Sequence, residues 1–242
     1  ALVTGPTGGL GRETASALAR AGVRVVLAGR DPDRLEVVRG RVAEVASAAP
    51  PEVVVLDLDD LGSVRRGAAE VLDRHGRLDL LMANAGIMAV AQGRTRQGYE
   101  RQLGVNHLGH FALVGLLLPA LLAAPAARVV TTTSVTHRFG RMRWHDLHGD
   151  DSYRPWAAYA RSKLANLLFS NELDRRARMA GVDLVSVAAH PGYAATDLPQ
   201  LGVRQRGRAA FASVIGLGDR YLAQSAADGA LPLLYAATMP DV

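Results

Sequence analysis

Short segments such as Val23-Arg24-Val25-Val26-Leu27-Ala28 and Val53-Val54-Val55-Leu56 are apolar at nearly every position. A strand with one wet face alternates apolar and polar residues; one that does not is covered on both faces. Strands are expected at Ala1–Thr4, Val23–Ala28, Val53–Leu56, Leu78–Ala83, Arg128–Thr133 and Asp183–Ala188. Helix-length segments near 11–21, 33–47, 61–74, 98–122 and 156–180 separate them. Strand-helix alternation of this kind implies one doubly wound parallel sheet, an α/β fold with helices on both faces. Gly22 is placed to end the first helix, and Asp31-Pro32 to start the second, with proline at its first position.

No repeat, low-complexity tract or linker interrupts the pattern, so residues 1–242 are read as a single domain. Ala1-Leu2-Val3 already reads as a strand and the chain stops at Pro240-Asp241-Val242, so short segments are expected to be missing at both ends. A hydrophobic content of 49% supplies a core for one domain of this length. With no cysteine, disulfides, thiolate metal sites and cysteine catalysis are excluded. No charged-then-apolar leader opens the chain, and a cytoplasmic location is expected. The net charge of +5 does not signal nucleic acid, because the arginines are scattered; the tightest group, Arg204-Gln205-Arg206-Gly207-Arg208, reads as a solvated loop. The uncharged run Phe111 to Ala127 contains Pro119 and Pro125 and reads as a buried helix rather than a membrane span.

The first strand runs into Thr4-Gly5-Pro6-Thr7-Gly8-Gly9-Leu10-Gly11-Arg12, and a helix follows. Glycines at 5, 9 and 11 let the backbone turn tightly and approach a ligand. The helix start then offers free N–H groups and a positive dipole end to a pyrophosphate. The turn is neither a P-loop nor the G-x-G-x-x-G fingerprint, since no Gly-Lys-Ser/Thr follows and Thr14 stands where the third glycine would be.

One basic residue is unlike the rest. Among 28 lysines and arginines, only Lys163 is a lysine, and it lies four residues after Tyr159. Positions i and i+4 share a helix face. A compact ammonium there is expected to favour the ionised phenol and lower its pKa, giving a general acid/base.

Together, Thr4-Gly5-x-x-x-Gly9-x-Gly11 and Tyr159-x-x-x-Lys163 resemble the short-chain dehydrogenase/reductase family. Further matches fall in order along residues 1 to about 240: Asn84-Ala85-Gly86, Asn106, Ser134, Pro191-Gly192 and Thr196. Asn-His-Leu-Gly-His-Phe, Ser-Lys-Leu-Ala-Asn and His-Pro-Gly resemble its retinol-dehydrogenase-like branch. Pro6 and Ala83 depart from common family residues.

The resemblance implies a Rossmann-like fold and a nicotinamide cofactor. It implies that Gly5, Thr7, Gly8, Gly9, Leu10 and Gly11 hold the phosphates, that Asp57 and Leu58 lie at the adenine, and that Asn84, Ala85 and Gly86 line the cofactor. Pro191, Gly192 and Thr196 would flank the nicotinamide, with Thr196 on its carboxamide. Tyr159 and Lys163 would touch the nicotinamide ribose end. Relatives often pair through helices four and five, and the apolar residues 111–122 would allow a homodimer or homotetramer, but burial within the monomer explains the same residues, so oligomeric state is left open.

The second strand ends Leu27-Ala28-Gly29-Arg30-Asp31, with glycine where an acid would hold the adenosine ribose hydroxyls of NAD. Arg30 can clamp a 2′-phosphate, and Arg12 could add a second positive charge; Asp31, before Pro32, suits a helix N-cap. NADP(H) is therefore expected over NAD(H).

Hydride transfer to a carbonyl needs a proton donor at the oxygen, and Tyr159 is the candidate, as phenol in reduction and phenolate in oxidation. Ser134 would hydrogen-bond the substrate oxygen. By resemblance, Lys163 binds the ribose, and Asn106 holds a kink in helix four and a water leading towards Lys163. The expected activity is NADP(H)-dependent reduction of a lipophilic aldehyde or ketone, or oxidation of a secondary alcohol. The other readings are a dinucleotide-binding sensor or scaffold without turnover, and a reductase of conjugated C=C bonds. His145, Asp146, His148, Asp150 and Asp151 read as a polar loop at the substrate rim rather than a metal site. His107 and His110 read as packing histidines, while Trp144, Tyr153, Trp156 and Tyr193 are candidates for the substrate mouth.

Overall fold

The computed structural model describes residues 1–192, 225–240 and 242. Six parallel strands form its sheet: β1 (Leu2–Thr4), β2 (Val26–Gly29), β3 (Glu52–Val55), β4 (Leu80–Ala83), β5 (Ala127–Thr132) and β6 (Leu184–Ala189). Their order is β3-β2-β1-β4-β5-β6. The helices are α1 (Gly9–Arg20), α2 (Pro32–Ala43), α3 (Leu61–Arg74), α4 (Arg101–Leu103), α5 (Gly109–Leu122), α6 (Pro155–Ala180) and α7 (Ala226–Thr238).

The unbroken apolarity of the strands has the expected cause. Successive residues of one strand enter two different cores: Leu2, Val26, Leu81 and Val129 face one, and Val3, Leu27, Met82 and Val130 the other. The first core packs against α3, α5 and α6, and the second against α1, α2 and α7. All six expected strands are present.

The local signals at the helix ends also act as read. Gly22 sits at φ +85, with Gly22 N–H bonded to Ala19 O at 3.1 Å and Val23 N–H to Leu18 O at 3.0 Å, the Schellman pattern that ends α1. Asp31 caps α2 by accepting from Arg34 N–H at 3.1 Å, with Pro32 first in the helix. One helix was not anticipated: α7, whose Leu233 is fully buried against the α1 face.

The expected fourth helix is in two pieces. Between α4 and α5 the backbone widens into a π-turn at Gly104–Leu108 that contains Asn106. Arg101–Leu122 is long and apolar enough to cross a membrane by length and composition alone. Its Leu113, Val114, Leu117 and Leu121 are nevertheless buried in the sheet core, as expected of a core helix.

β1 and β4 are neighbours, but the chain leaves β1 towards β2 and β3 and later continues from β4 towards β5 and β6. The order therefore reverses between β1 and β4. In open parallel sheets the crevice beyond the carboxyl ends of such a pair is where ligands bind.

Candidate active site

The carboxyl edge of the sheet gathers nearly every residue singled out from the sequence. Gly5 follows β1, Arg30 follows β2, Asp57 and Leu58 follow β3, Asn84-Ala85-Gly86 follow β4, Ser134 follows β5, and Pro191-Gly192 follow β6. Thr196 and Tyr193 lie outside the described residues.

The glycine turn is as tight as its composition requires. Gly5 sits at φ +66, and a Cβ there would lie 2.9 Å from the Ala85 Cα. A Cβ on Gly11 would overlap the Gly5 carbonyl oxygen and come within 2.6 Å of Asn84 Nδ2. Nothing stands within 4 Å of a Cβ built on Gly8, on the open side of the turn. Thr7, Gly8 and Gly9 are half-buried there, while Leu10 is packed into the core. α1 starts at Gly9, its free N–H groups at the mouth of the crevice. The backbone present thus fits a pyrophosphate.

Asn84 ties this turn to the strand beside it. Its Nδ2 donates to Thr4 O at 3.0 Å. The N–H groups of Asn84 and Ala85 both donate to Thr4 Oγ1, each at 3.0 Å. Gly86 comes next, and a Cβ on it would sit 3.2 Å from Asn106 Oδ1 and 3.7 Å from Lys163 Nζ. A side chain there would press on Asn106 Oδ1 and touch the Lys163 ammonium.

Just beyond β2, Arg30 is exposed and makes no hydrogen bond or ion pair among the described residues, although its charge is felt by Asp59. Asp31, its neighbour, is committed to the α2 cap. Arg12, the second arginine beside the glycine turn, pairs its guanidinium with Glu13 at 3.2 Å. Asp57 is half-buried and accepts from Asp59 N–H at 3.0 Å, while Leu58 is buried against the start of α5, its carbonyl oxygen 2.8 Å from a Cβ built on Gly109.

α6 brings Tyr159 and Lys163 into the crevice on one face. Both are buried, at 6% and 4% exposure. Lys163 Nζ lies 5.7 Å from the centre of the Tyr159 ring and donates to Thr132 O at 3.0 Å. The phenol does not respond as the spacing suggested. Burial pushes the Tyr159 phenol up to about 12, and the hydrogen-bonding Ser134 hydroxyl only partly offsets this. Removing the phenolate from water outweighs its neighbours, and the lysine directs its hydrogen bond to main chain. Burial also brings the Lys163 ammonium down to about 8. The tyrosine is therefore a neutral acid, and the lysine titrates near neutrality.

Ser134 caps the short 3₁₀ segment Val135–Phe139, accepting from Thr136 N–H at 3.3 Å. Asn106 is fully buried. Its Oδ1 accepts from Ile87 N–H at 2.8 Å, and its Nδ2 donates to Ile87 O and Ser162 Oγ, each at 2.9 Å. It thus joins the π-turn to the loop after Gly86 and to α6 beside Lys163.

The aromatic candidates part company. Trp156 meets the Tyr159 ring edge-on at 6.2 Å and is half exposed, so it borders the phenol. Tyr153 is structural, with its hydroxyl donating to Val90 O at 3.1 Å and accepting from Gln102 Nε2 at 2.8 Å. Trp144 is 74% exposed. Among the acidic and histidine residues of the rim loop, Asp146 accepts from Asp150 N–H at 2.7 Å and His148 Nδ1 from Glu100 N–H at 3.3 Å. Asp146 thus organises the loop's own backbone and His148 fastens the loop to the start of α4, and among the described residues no three metal-ligating side chains converge.

One connection was missed. The buried guanidinium of Arg161, inside the Tyr159-x-x-x-Lys163 segment, donates to Asp146 O at 3.0 Å and lies 3.9 Å from the buried Glu100 carboxylate. It ties the rim loop to α6. Nothing in the sequence distinguishes this arginine from the others, because its partners lie far along the chain.

The short chain dehydrogenase family model matches residues 1–206. Retinol dehydrogenase 11 of Mus musculus is 42% identical over 198 residues, covering 82% of this chain and 62% of that protein. Polyprenol dehydrogenase of Mus musculus is 43% identical over 251 residues, covering 100% of this chain and 72% of that one. This chain thus spans less than two thirds of the length of the retinol dehydrogenase it matches. Among solved structures, an uncharacterized protein from Mycobacterium paratuberculosis superposes with a TM-score of 0.78 at 42% identity, covering 98% of this chain and 75% of that one. A short chain dehydrogenase from Shigella flexneri complexed with NADP superposes with a TM-score of 0.74 at 27% identity, covering 98% and 90%.

Proposed function

This chain belongs to the short-chain dehydrogenase family, and on that footing we propose that it is an NADP(H)-dependent oxidoreductase acting on a lipophilic carbonyl or alcohol, with Tyr159 as its acid/base. The observation that carries this reading is the buried, neutral Tyr159 phenol, hydrogen-bonded to Ser134 and 5.7 Å from the only lysine of the chain, beside the glycine cradle.

When bound, the nicotinamide supplies or accepts the hydride at the substrate carbon. The chain's own groups handle the proton. In reduction the Tyr159 phenol gives its proton to the carbonyl oxygen, while Ser134 hydrogen-bonds the same oxygen and holds it against the phenol. The Lys163 ammonium favours the phenolate left behind and offers its remaining hydrogens to hydroxyls at the ribose end. Oxidation runs the same transfers in reverse.

Preference for the 2′-phosphate rests on Arg30. Among the described residues its guanidinium makes no hydrogen bond or ion pair, and the neighbouring Asp31 carboxylate is taken up by a helix cap. Two curated relatives bear the names of apolar alcohols, retinol and polyprenol, which supports a lipophilic substrate. Trp156 beside the phenol offers such a substrate an apolar wall.

The test is an NADPH-linked screen across aldehydes, ketones and quinones, repeated with NADH and with Tyr159→Phe. NADPH consumption with at least one carbonyl, lost in the variant, is expected. Turnover that survives the substitution would refute the assigned acid. Cofactor binding without consumption on any substrate would favour the sensor reading.

A further inference from the structure

His110 is fully buried between three segments that surround the crevice. Its Nδ1 meets Asn106 O at 3.1 Å, and its Nε2 meets Thr4 Oγ1 at 2.9 Å. Hydrogen-bond accounting fixes which nitrogen carries the proton. A carbonyl oxygen only accepts, so Nδ1 must be the donor. Thr4 Oγ1 already accepts from Asn84 N–H and Ala85 N–H, which uses both of its lone pairs. It can therefore only donate, with its one hydrogen shared between Nε2 at 2.9 Å and Met82 O at 3.2 Å, and Nε2 must be the bare acceptor. The two ends agree on one neutral tautomer.

We propose that His110 is a positioning residue that locks the π-turn carrying Asn106 to the Thr4–Asn84–Ala85 cradle, so that the phosphate end and the nicotinamide end of the dinucleotide site keep one geometry. The proposal takes the dinucleotide site as assigned above. The connection runs from Asn106 O through the imidazole to Thr4 Oγ1 and on to two main-chain N–H groups beside the glycine turn. The opposite face of the Asn106 turn is held separately, where His107 Nδ1 meets Asn166 Oδ1 at 3.2 Å. The charged and titratable groups that face the imidazole are the Lys163 ammonium on α6 and His107 on the turn itself. Burial holds His110 down at about 4; the Asn106 carbonyl opposes this, and Lys163 and His107 add to it. The ring therefore stays neutral wherever the enzyme would work.

His110→Leu removes both hydrogen bonds, takes the imidazole N–H from the buried Asn106 O and leaves the Thr4 hydroxyl only Met82 O, at 3.2 Å. His110→Gln keeps one donor and one acceptor in the same place. Dissociation constants for NADPH and NADH are measured on wild type and both variants, with thermal melting as the control for folding. We expect His110→Leu to weaken dinucleotide binding by about ten- to a hundredfold, the range for a buried polar group left unpaired, and His110→Gln to recover most of it. Wild-type affinity in a folded His110→Leu, or a folded His110→Gln no better than the leucine variant, overturns the proposal. Nitrogen NMR of isotope-labelled histidine in the wild type provides a measurement that needs no variant to fold. Protonated Nδ1 with bare Nε2 is expected at neutral pH, and the opposite tautomer overturns the proposal. If neither dinucleotide binds the wild type, the functional reading fails, while the tautomer still decides the role of His110.

Discussion

Lys163 Nζ gives its hydrogen bond to Thr132 O at 3.0 Å and stands 5.7 Å from the Tyr159 ring centre. Asn166 Nδ2 donates to the same carbonyl at 3.1 Å. The ammonium is thus aimed by main chain, and the lysine is only 4% exposed. Arginine would need more room and could not shed its proton. Lys163→Arg should fold yet reduce turnover by about a hundredfold or more, the scale on which a positioned proton-transfer group contributes. Steady-state kinetics alongside thermal melting checks this; a variant with wild-type turnover would show that any cation suffices.

The same lysine sets two pH dependences of opposite sign. Its pKa falls from 10.5 to about 8 on folding. Below pH 8 it is charged in both folded and unfolded chains. Between about 8 and 10.5 the unfolded chain keeps a proton that the folded chain has released, so this residue's contribution to stability rises with pH through that window. Activity should run the other way. kcat/KM for reduction should fall above pH 8 as the ammonium is lost, while the Tyr159 phenol, near 12, remains protonated. A pH-rate profile that stays flat from 7 to 10 contradicts the assignment.

Tyr159→Phe should leave the fold and cofactor binding nearly unchanged, because the ring keeps its buried place against Trp156. Reduction should drop by about two to four orders of magnitude with the acid gone. Cofactor titration and turnover on the same preparation separate the two effects.

Arg30→Ala should lower the preference for NADPH over NADH by about ten- to a hundredfold, since a hydrogen bond to a charged group contributes about 1.5–3 kcal/mol. NADH affinity should hardly move. Equal losses for both dinucleotides would place Arg30 in general cofactor binding instead.

Gly11→Ala puts a methyl group into the Gly5 carbonyl and against Asn84 Nδ2. Forcing the turn apart should cost about 1–3 kcal/mol of stability and abolish tight dinucleotide binding. Gly8→Ala, where a Cβ meets nothing, is the matched control and should melt like the wild type. Differential scanning calorimetry with and without cofactor distinguishes them.

The strands and the main helices were legible because their signals are local. Unbroken apolarity reported burial on two faces, and Gly22 and Asp31 marked helix ends without help from distant chain. β2 begins later than its apolar run because Val23 is still engaged with Leu18 O in the exit from α1. α7 was overlooked because Gly229 and Pro232 punctuate it, yet tertiary packing of Leu233 carries it. The cap Ser225, accepting from Asp228 N–H at 3.1 Å, was the readable sign.

Within the site, spacing foretold that Tyr159 and Lys163 share a face. It could not foretell the direction of the phenol's shift, because desolvation depends on what the rest of the chain folds around it. The part played by His110 was equally hidden, since Thr4 lies 106 residues away along the chain.

The position of β1 at the middle of the sheet has a consequence for how the molecule comes to be made. Its Leu2 pairs on one side with Val26 and on the other with Leu81. A nascent chain can satisfy the first edge early, but the second waits until β4 has emerged. Folding should therefore be slow and governed by distant pairings, with the half-built sheet open to aggregation until synthesis passes the switch between its two halves.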